Sequence, residues 1–135
     1  SSDDNIGALE SAVEKKVLNG IDTKPEYLAR VQEGFKAVIN SPGGYGVGYM
    51  NPAMRPAGKT GTSQSFIDTN GDGKIDTETI TTSFIGYAPY DNPKMSILVT
   101  SPDSSHPNSS SNYASLVTYR ITKEITAKYS EMYGY

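Results

Sequence analysis

Three extended runs separated by turn signals constrain the fold of these 135 residues more than any other feature. They lie at about 58–67, 79–88 and 94–101, the second and third rich in Ile, Thr, Phe, Tyr and Val. Ala88-Pro89-Tyr90-Asp91-Asn92-Pro93 reads as the turn between the last two. Strands joined this closely pair with their chain neighbours, so the expectation is an antiparallel sheet.

Helical patterns flank the strands. Asp3 or Asp4 can cap a first helix in which Ile6, Leu9, Val13, Val17 and Leu18 recur at helical spacing, with Gly20 as the stop. A second begins at Thr23-Lys24-Pro25-Glu26, which matches a capping box with proline in the first turn. Leu28, Val31, Phe35, Val38 and Ile39 give it one apolar face, and it ends near Asn40. In the last, Ala114, Val117, Ile121, Ile125 and Lys128 repeat every three or four residues beside Leu116, and this helix is expected to pack on one face of the sheet. The order α-α-β-β-β-α defines an α/β chain of the α+β type, one domain or part of one.

Composition removes several functions. A net charge of −3 and the lack of any Lys/Arg stripe argue against nucleic acid as a partner. The absence of cysteine excludes disulfides, thiolate metal sites and a cysteine nucleophile. Hydrophobic residues make up 36% and mean hydropathy is −0.49, so core material is lean. No apolar run reaches the length of a membrane span, and no stretch of these residues reads as a signal sequence. The Gly44-x-Gly46-x-Gly48 series follows no strand and lacks the spacing of a dinucleotide fingerprint, so 41–58 reads as a loop. His106, the one histidine, sits in the polar loop 101–112 with no acidic or hydroxyl partner placed by sequence.

That glycine-rich loop leads into Ala57-Gly58-Lys59-Thr60-Gly61-Thr62-Ser63-Gln64. On a strand, Thr60 and Thr62 point the same way. Gly61 between them lets another molecule approach the backbone, and Lys59 adds a positive charge. Such a strand suits an anionic peptide, with ammonium and hydroxyls for a carboxylate and backbone groups for amides.

Between the first two strands, Asp68-Thr69-Asn70-Gly71-Asp72-Gly73-Lys74-Ile75-Asp76-Thr77-Glu78-Thr79 matches an EF-hand-type calcium loop at most positions. The candidate ligands are Asp68, Asn70, Asp72, the Lys74 carbonyl and Asp76. The departure is position 12, where Thr79 replaces the bidentate acid and Glu78 comes one residue early. Read otherwise, the stretch is a polar hairpin tip whose Asn70-Gly71 and Asp72-Gly73 tolerate positive φ. A calcium-binding extracellular or adhesion module centred on 68–79 is therefore the alternative function.

The lysine strand also carries a resemblance. Lys59-Thr60-Gly61-Thr62-Ser63-Gln64 after Pro56-Ala57-Gly58 resembles the K-T-G box of penicillin-binding proteins and serine β-lactamases. Val17-Leu18-Asn19-Gly20-Ile21-Asp22, the helix Tyr27 to Val38, and Ser83-Phe84-Ile85-Gly86-Tyr87-Ala88-Pro89 stand around it in an order similar to the C-terminal part of class B penicillin-binding proteins. The resemblance covers nearly the whole chain and implies the C-terminal half of the β-lactamase/transpeptidase-like fold, with 68–79 as a polar insertion. It implies a peptidoglycan D,D-transpeptidase, with stem peptide and β-lactams as ligands and no cofactor needed for catalysis. By the same resemblance Lys59 assists proton handling, the Thr60 and Thr62 hydroxyls bind the substrate carboxylate, Gly61 lies against the substrate, and the Thr62 N–H forms half of the oxyanion hole.

No serine here has lysine three residues later, so the family's S-x-x-K box is not in this sequence. Ser110-Ser111-Asn112 spells S-x-N, but it follows K-T-G, whereas the family places that motif before it. The expectation is a C-terminal fragment that is inactive alone and completes its site with an N-terminal part of the domain. The resemblance also places the protein on the outer face of the bacterial cytoplasmic membrane, with its anchor outside this chain.

Overall fold

The computed structural model describes residue 14 and residues 16–105 and 113–134. Helix α1 (Pro25–Asn40) and a short 3-10 turn (Pro52–Met54) precede β1 (Ala57–Ile67), β2 (Thr77–Ala88) and β3 (Met95–Ser105), and α2 (Tyr113–Tyr133) closes the chain. The strands form one antiparallel sheet in the order β1-β2-β3, as the short connections predict, which leaves β1 at one edge.

Three expectations need correction. The helix sought from Ile6 to Leu18 is missing where it can be seen: Glu14 and residues 16–24 have no helical structure, and the remainder lies outside the described residues. Val17, Leu18 and Ile21 stand 77%, 77% and 84% exposed, and a short amphipathic helix without a surface to pack on does not hold. In α1 the capping box is not used. Lys24 rather than Thr23 occupies the N-cap, no side chain caps the helix, and Pro25 alone marks its start. Strand β3 runs on to Ser105, through residues assigned from sequence to a loop. Asp103, at φ 47°, bends this polar extension, where the Thr79 hydroxyl donates to Asp103 Oδ1 at 2.7 Å and the Asp103 N–H to Thr81 Oγ1 at 3.2 Å. The other predicted strand and helix limits agree to within a few residues. His106 and Ser110 to Asn112 lie outside the described residues.

The core is built around Phe84, which is wholly buried. Its ring stacks on Tyr49 with centroids 4.6 Å apart, and Tyr119 meets Tyr49 edge-on at 5.2 Å. Gly58 and Gly86 are cross-strand partners beneath that ring. A Cβ on Gly86 would come within 2.8 Å of Phe84 Cε1 and 2.9 Å of Met50 Sδ. Met50, Met54, Ile39 and Ala88 complete the cluster.

Helix α2 packs on the sheet, but by an unexpected side. Ile121 and Ile125 are largely exposed, while Thr118, Thr122, Thr126 and Ser130 are buried. These four recur every fourth residue and so form one stripe. The Thr122 hydroxyl donates to the Thr118 carbonyl at 2.7 Å and that of Thr126 to the Thr122 carbonyl at 2.8 Å. Burying a hydroxyl is costly only when it lacks a partner, and here the helix supplies one internally.

The start of β1 is fixed from two directions. Asn40 Nδ2, at the end of α1, donates to the Pro56 carbonyl at 2.8 Å and to the Lys36 carbonyl at 2.9 Å. From the β2–β3 turn, the Tyr90 N–H donates to the Arg55 carbonyl at 2.7 Å, and Arg55 pairs with Asp91 at 2.7 Å.

Candidate active site

With its entry pinned in this way, β1 presents Lys59-Thr60-Gly61-Thr62 along the sheet edge. The pairs Thr60↔Phe84 and Thr62↔Thr82 put both threonines on the face that carries the core ring. The pairs Lys59↔Ile85 and Gly61↔Ser83 put the lysine on the other face. Thr60, Gly61 and Thr62 line a cavity of about 200 Å³, together with Thr82 and Ser83 of β2. Ser115 and Thr118 of α2 form its far side, and Tyr45 and Tyr49 of the glycine-rich loop complete it.

The structure therefore brings three of the four expected residues to one cavity. Lys59 is exposed and stands apart from it, its Nζ donating to the Thr60 carbonyl at 2.6 Å. The residues that sequence reasoning missed are the hydroxyls across the cavity and the two tyrosines. Tyr45 and Tyr49 belong to the glycine-rich segment 41–58, which by sequence reads as a connecting loop. A signal existed, since aromatic residues alternating with glycines have no solvation reason to be there.

Every lining side chain is a hydroxyl, a phenol or, at Gly61, absent; none is charged. Such a lining can accept and donate hydrogen bonds to amides and to a carboxylate without imposing a charge of its own. Tyr49 is a fixed part of the wall, stacked on Phe84 and donating from its hydroxyl to the Ser115 carbonyl at 3.4 Å. At Gly61 a Cβ would fall 2.5 Å from Ser83 Oγ, so this position takes no side chain unless that hydroxyl moves.

The five residues proposed from sequence as metal ligands lie elsewhere, at the β1–β2 tip. Asp68 lies six positions beyond Thr62 along mostly extended chain, roughly 20 Å. Asp68 is turned into the loop, accepting the backbone N–H of Asn70 (3.1 Å), Gly71 (2.7 Å) and Gly73 (2.7 Å). Those bonds, that from Gly73 foremost, hold its carboxyl below the ordinary value of 3.8. Asn70 Oδ1 accepts from the Asp72 N–H and Asp72 Oδ1 from the Lys74 N–H, at 2.9 and 2.8 Å. Asp76 faces the loop base instead. Its carboxyl is lowered first by the Thr69 hydroxyl, at 2.7–2.8 Å from both oxygens, and then by that of Thr77. Among the described residues no three Asp, Glu or His side chains converge as a metal-ion site.

An antiparallel sheet with helices packed on it is the fold that the resemblance implies. The family model of the penicillin binding protein transpeptidase domain matches residues 4–127, and the chain belongs to that family. It is 38% identical over 128 residues to Penicillin-binding protein 2A of Bacillus subtilis (strain 168). That match takes in 94% of this chain and 17% of the relative, so the chain spans about a sixth of that protein's length.

Proposed function

We propose that this chain supplies the K-T-G wall of the active site of a peptidoglycan D,D-transpeptidase, and that the same wall binds β-lactams. The observation that carries the reading is the edge strand itself, with Thr60, Gly61 and Thr62 together on one uncharged cavity. A free sheet edge is where an extended peptide adds as a further strand, so the stem peptide has a place to lie along β1.

In this reading a serine supplied from outside this sequence attacks the penultimate D-Ala carbonyl. The C–N bond breaks, the terminal D-Ala leaves as the protonated amine, and an amine of a second stem peptide resolves the acyl-enzyme. Thr60 and Thr62 hold the terminal carboxylate, and the Thr62 N–H stabilises the oxyanion, a donor worth roughly 3–4 kcal/mol in hydrolases. Lys59, whose side chain leaves the strand on the opposite face and returns to the Thr60 carbonyl, raises the local positive potential and assists proton handling from the strand edge. Ile85 and Leu98 share that face in register with Lys59 and are 51% and 68% exposed, which supports a covering segment from the rest of the domain there. No helix among the described residues is long and apolar enough to cross a membrane. The placement at the outer face of the cytoplasmic membrane belongs to this proposal.

The test is Lys59→Ala in the full-length protein. The acylation rate by a fluorescent penicillin should fall by orders of magnitude while the fold is kept, because an exposed strand ammonium contributes little to the core. Acylation at the parental rate removes Lys59 from the site.

Calcium at 68–79 is a separate proposal, and an adhesion module would be its whole-chain form. Its support is the ligand spacing and the succession of carboxylates and carbonyls on one turn. To close around an ion, Asp76 must release Thr69, and Thr79 provides no bidentate acid. We therefore propose weak, structural binding, about 10⁻⁴–10⁻³ M.

A further inference from the structure

Two tyrosines line the cavity over the K-T-G strand, and they differ in kind. Tyr49 is 7% exposed and locked by its ring partners. Tyr45 is 89% exposed and contributes almost nothing to the core. An aromatic ring left in water is unremarkable on an arbitrary surface. Here it stands at the mouth of a cavity that also contains Thr60 and Thr62.

The backbone around it is held firmly. The Gly44 N–H donates to the Ser41 carbonyl at 2.9 Å, the Gly46 N–H to the Val38 carbonyl at 3.0 Å and the Val47 N–H to the Gly44 carbonyl at 3.2 Å. The glycines on either side lie close against the end of α1. A Cβ on Gly44 would sit 2.3 Å from the Val38 carbonyl oxygen, and one on Gly46 would sit 2.5 Å from Ile39 Cδ1. Gly44 cannot carry a side chain against that backbone, and one at Gly46 would have to displace Ile39, so the loop is fitted to the helix by its backbone and presents one ring. A tyrosine has only two side-chain torsions to fix, so it offers large contact area at a low cost in entropy.

Resting on the transpeptidase reading above, we propose that Tyr45 is a specificity-determining residue of the acyl-donor site. The Thr60 and Thr62 hydroxyls take the polar end of the donor. The Tyr45 ring takes an apolar or planar group that the donor carries beside its scissile amide, stacking on it at the cavity mouth. No charged side chain lines the cavity, so a donor with a charged group at this point gains nothing from it.

The experiment measures acylation of the full-length protein by two probes, benzylpenicillin and the penicillin nucleus without its acyl side chain. In the parent, the ratio of their second-order acylation rates should favour benzylpenicillin. Tyr45→Ala should reduce that ratio by about tenfold, the scale of one aromatic stack, and Tyr45→Phe should hold it. A role in shaping the loop alone would move both probes together, so an unchanged ratio in Tyr45→Ala overturns the proposal. Lys59→Ala, run alongside, separates the two readings. If it slows both probes while Tyr45→Ala leaves the ratio intact, only the role of Tyr45 falls. If Lys59→Ala acylates both at the parental rate, the site assignment falls and the proposal with it.

Discussion

Phe84→Ala is the sharpest test of how the site is supported. The ring is fully buried, stacked on Tyr49 and seated on Gly58 and Gly86. Removing a ring of this kind costs about 3–5 kcal/mol, at the upper end where the site cannot collapse. The backbone beneath the ring belongs to paired strands and cannot rise to fill the space, so about 4 kcal/mol is expected. Small domains have only about 5–15 kcal/mol in total. At roughly 3–5 °C per kcal/mol for a chain of this length, Tm should fall by about 10–20 °C. Urea unfolding followed by far-ultraviolet circular dichroism should show the midpoint moved and the slope unchanged. Phe84→Leu, which keeps most of the volume, should lose only about 1–2 kcal/mol and remain folded if the alanine variant does not. A loss below about 1 kcal/mol in Phe84→Ala would mean that the core is centred elsewhere, and the argument for a rigid cavity wall would go with it.

The loop 68–76 should be acid-sensitive. Asp68 and Asp76 are both held below their ordinary value, so they stabilise the folded loop above about pH 3.8 and cease to do so as pH falls through their lowered folded values. Amide exchange at Gly71 and Gly73 should lose its protection in that window, and protection unchanged to low pH would refute the bonding to Asp68. Titration with calcium should give weak heat that Asp72→Ala removes, and no heat, or heat that survives the substitution, leaves a polar hairpin only. Incubated alone with fluorescent penicillin, this chain should give no labelled band on denaturing electrophoresis, because none of its serines has lysine at the third following position. A labelled band would refute the reading of an incomplete site.

The parts legible in sequence were those written in local chemistry. Strand alternation at Thr60 and Thr62, the turn at Ala88 to Pro93 and the order of three strands follow from residue type and spacing. What was illegible depended on distant surfaces. Apolar periodicity from Ile6 to Leu18 says nothing about whether a partner surface exists, and Val17 and Leu18 have none. In α2 hydropathy points to Ile121 and Ile125, yet the buried side is threonine, because a hydroxyl bonded to its own helix behaves as a small neutral group. The end of β3 is polar and reads as loop, but cross-strand bonds between Asp103 and the hydroxyls of Thr79, as donor, and Thr81, as acceptor, tie it to β2. Tyr45 and Ser115 are far apart in sequence, and only the packing of α2 over β2 and β3 makes them walls of one cavity.

The threonine seam of α2 acts as a spacer gauge. Its side chains are short and of nearly one length, so they set how far the helix axis stands off the sheet. Ser115 and Thr118, on the same rigid rod, are thereby held at a fixed height above Thr60 and Thr62. The width of the cavity is thus decided in part about one to three turns away from it, at Thr122, Thr126 and Ser130, which do not line it. A longer side chain at Thr122 or Thr126 would act as a shim, lifting the rod and opening the mouth. Tolerances at the site are machined into the back of the helix.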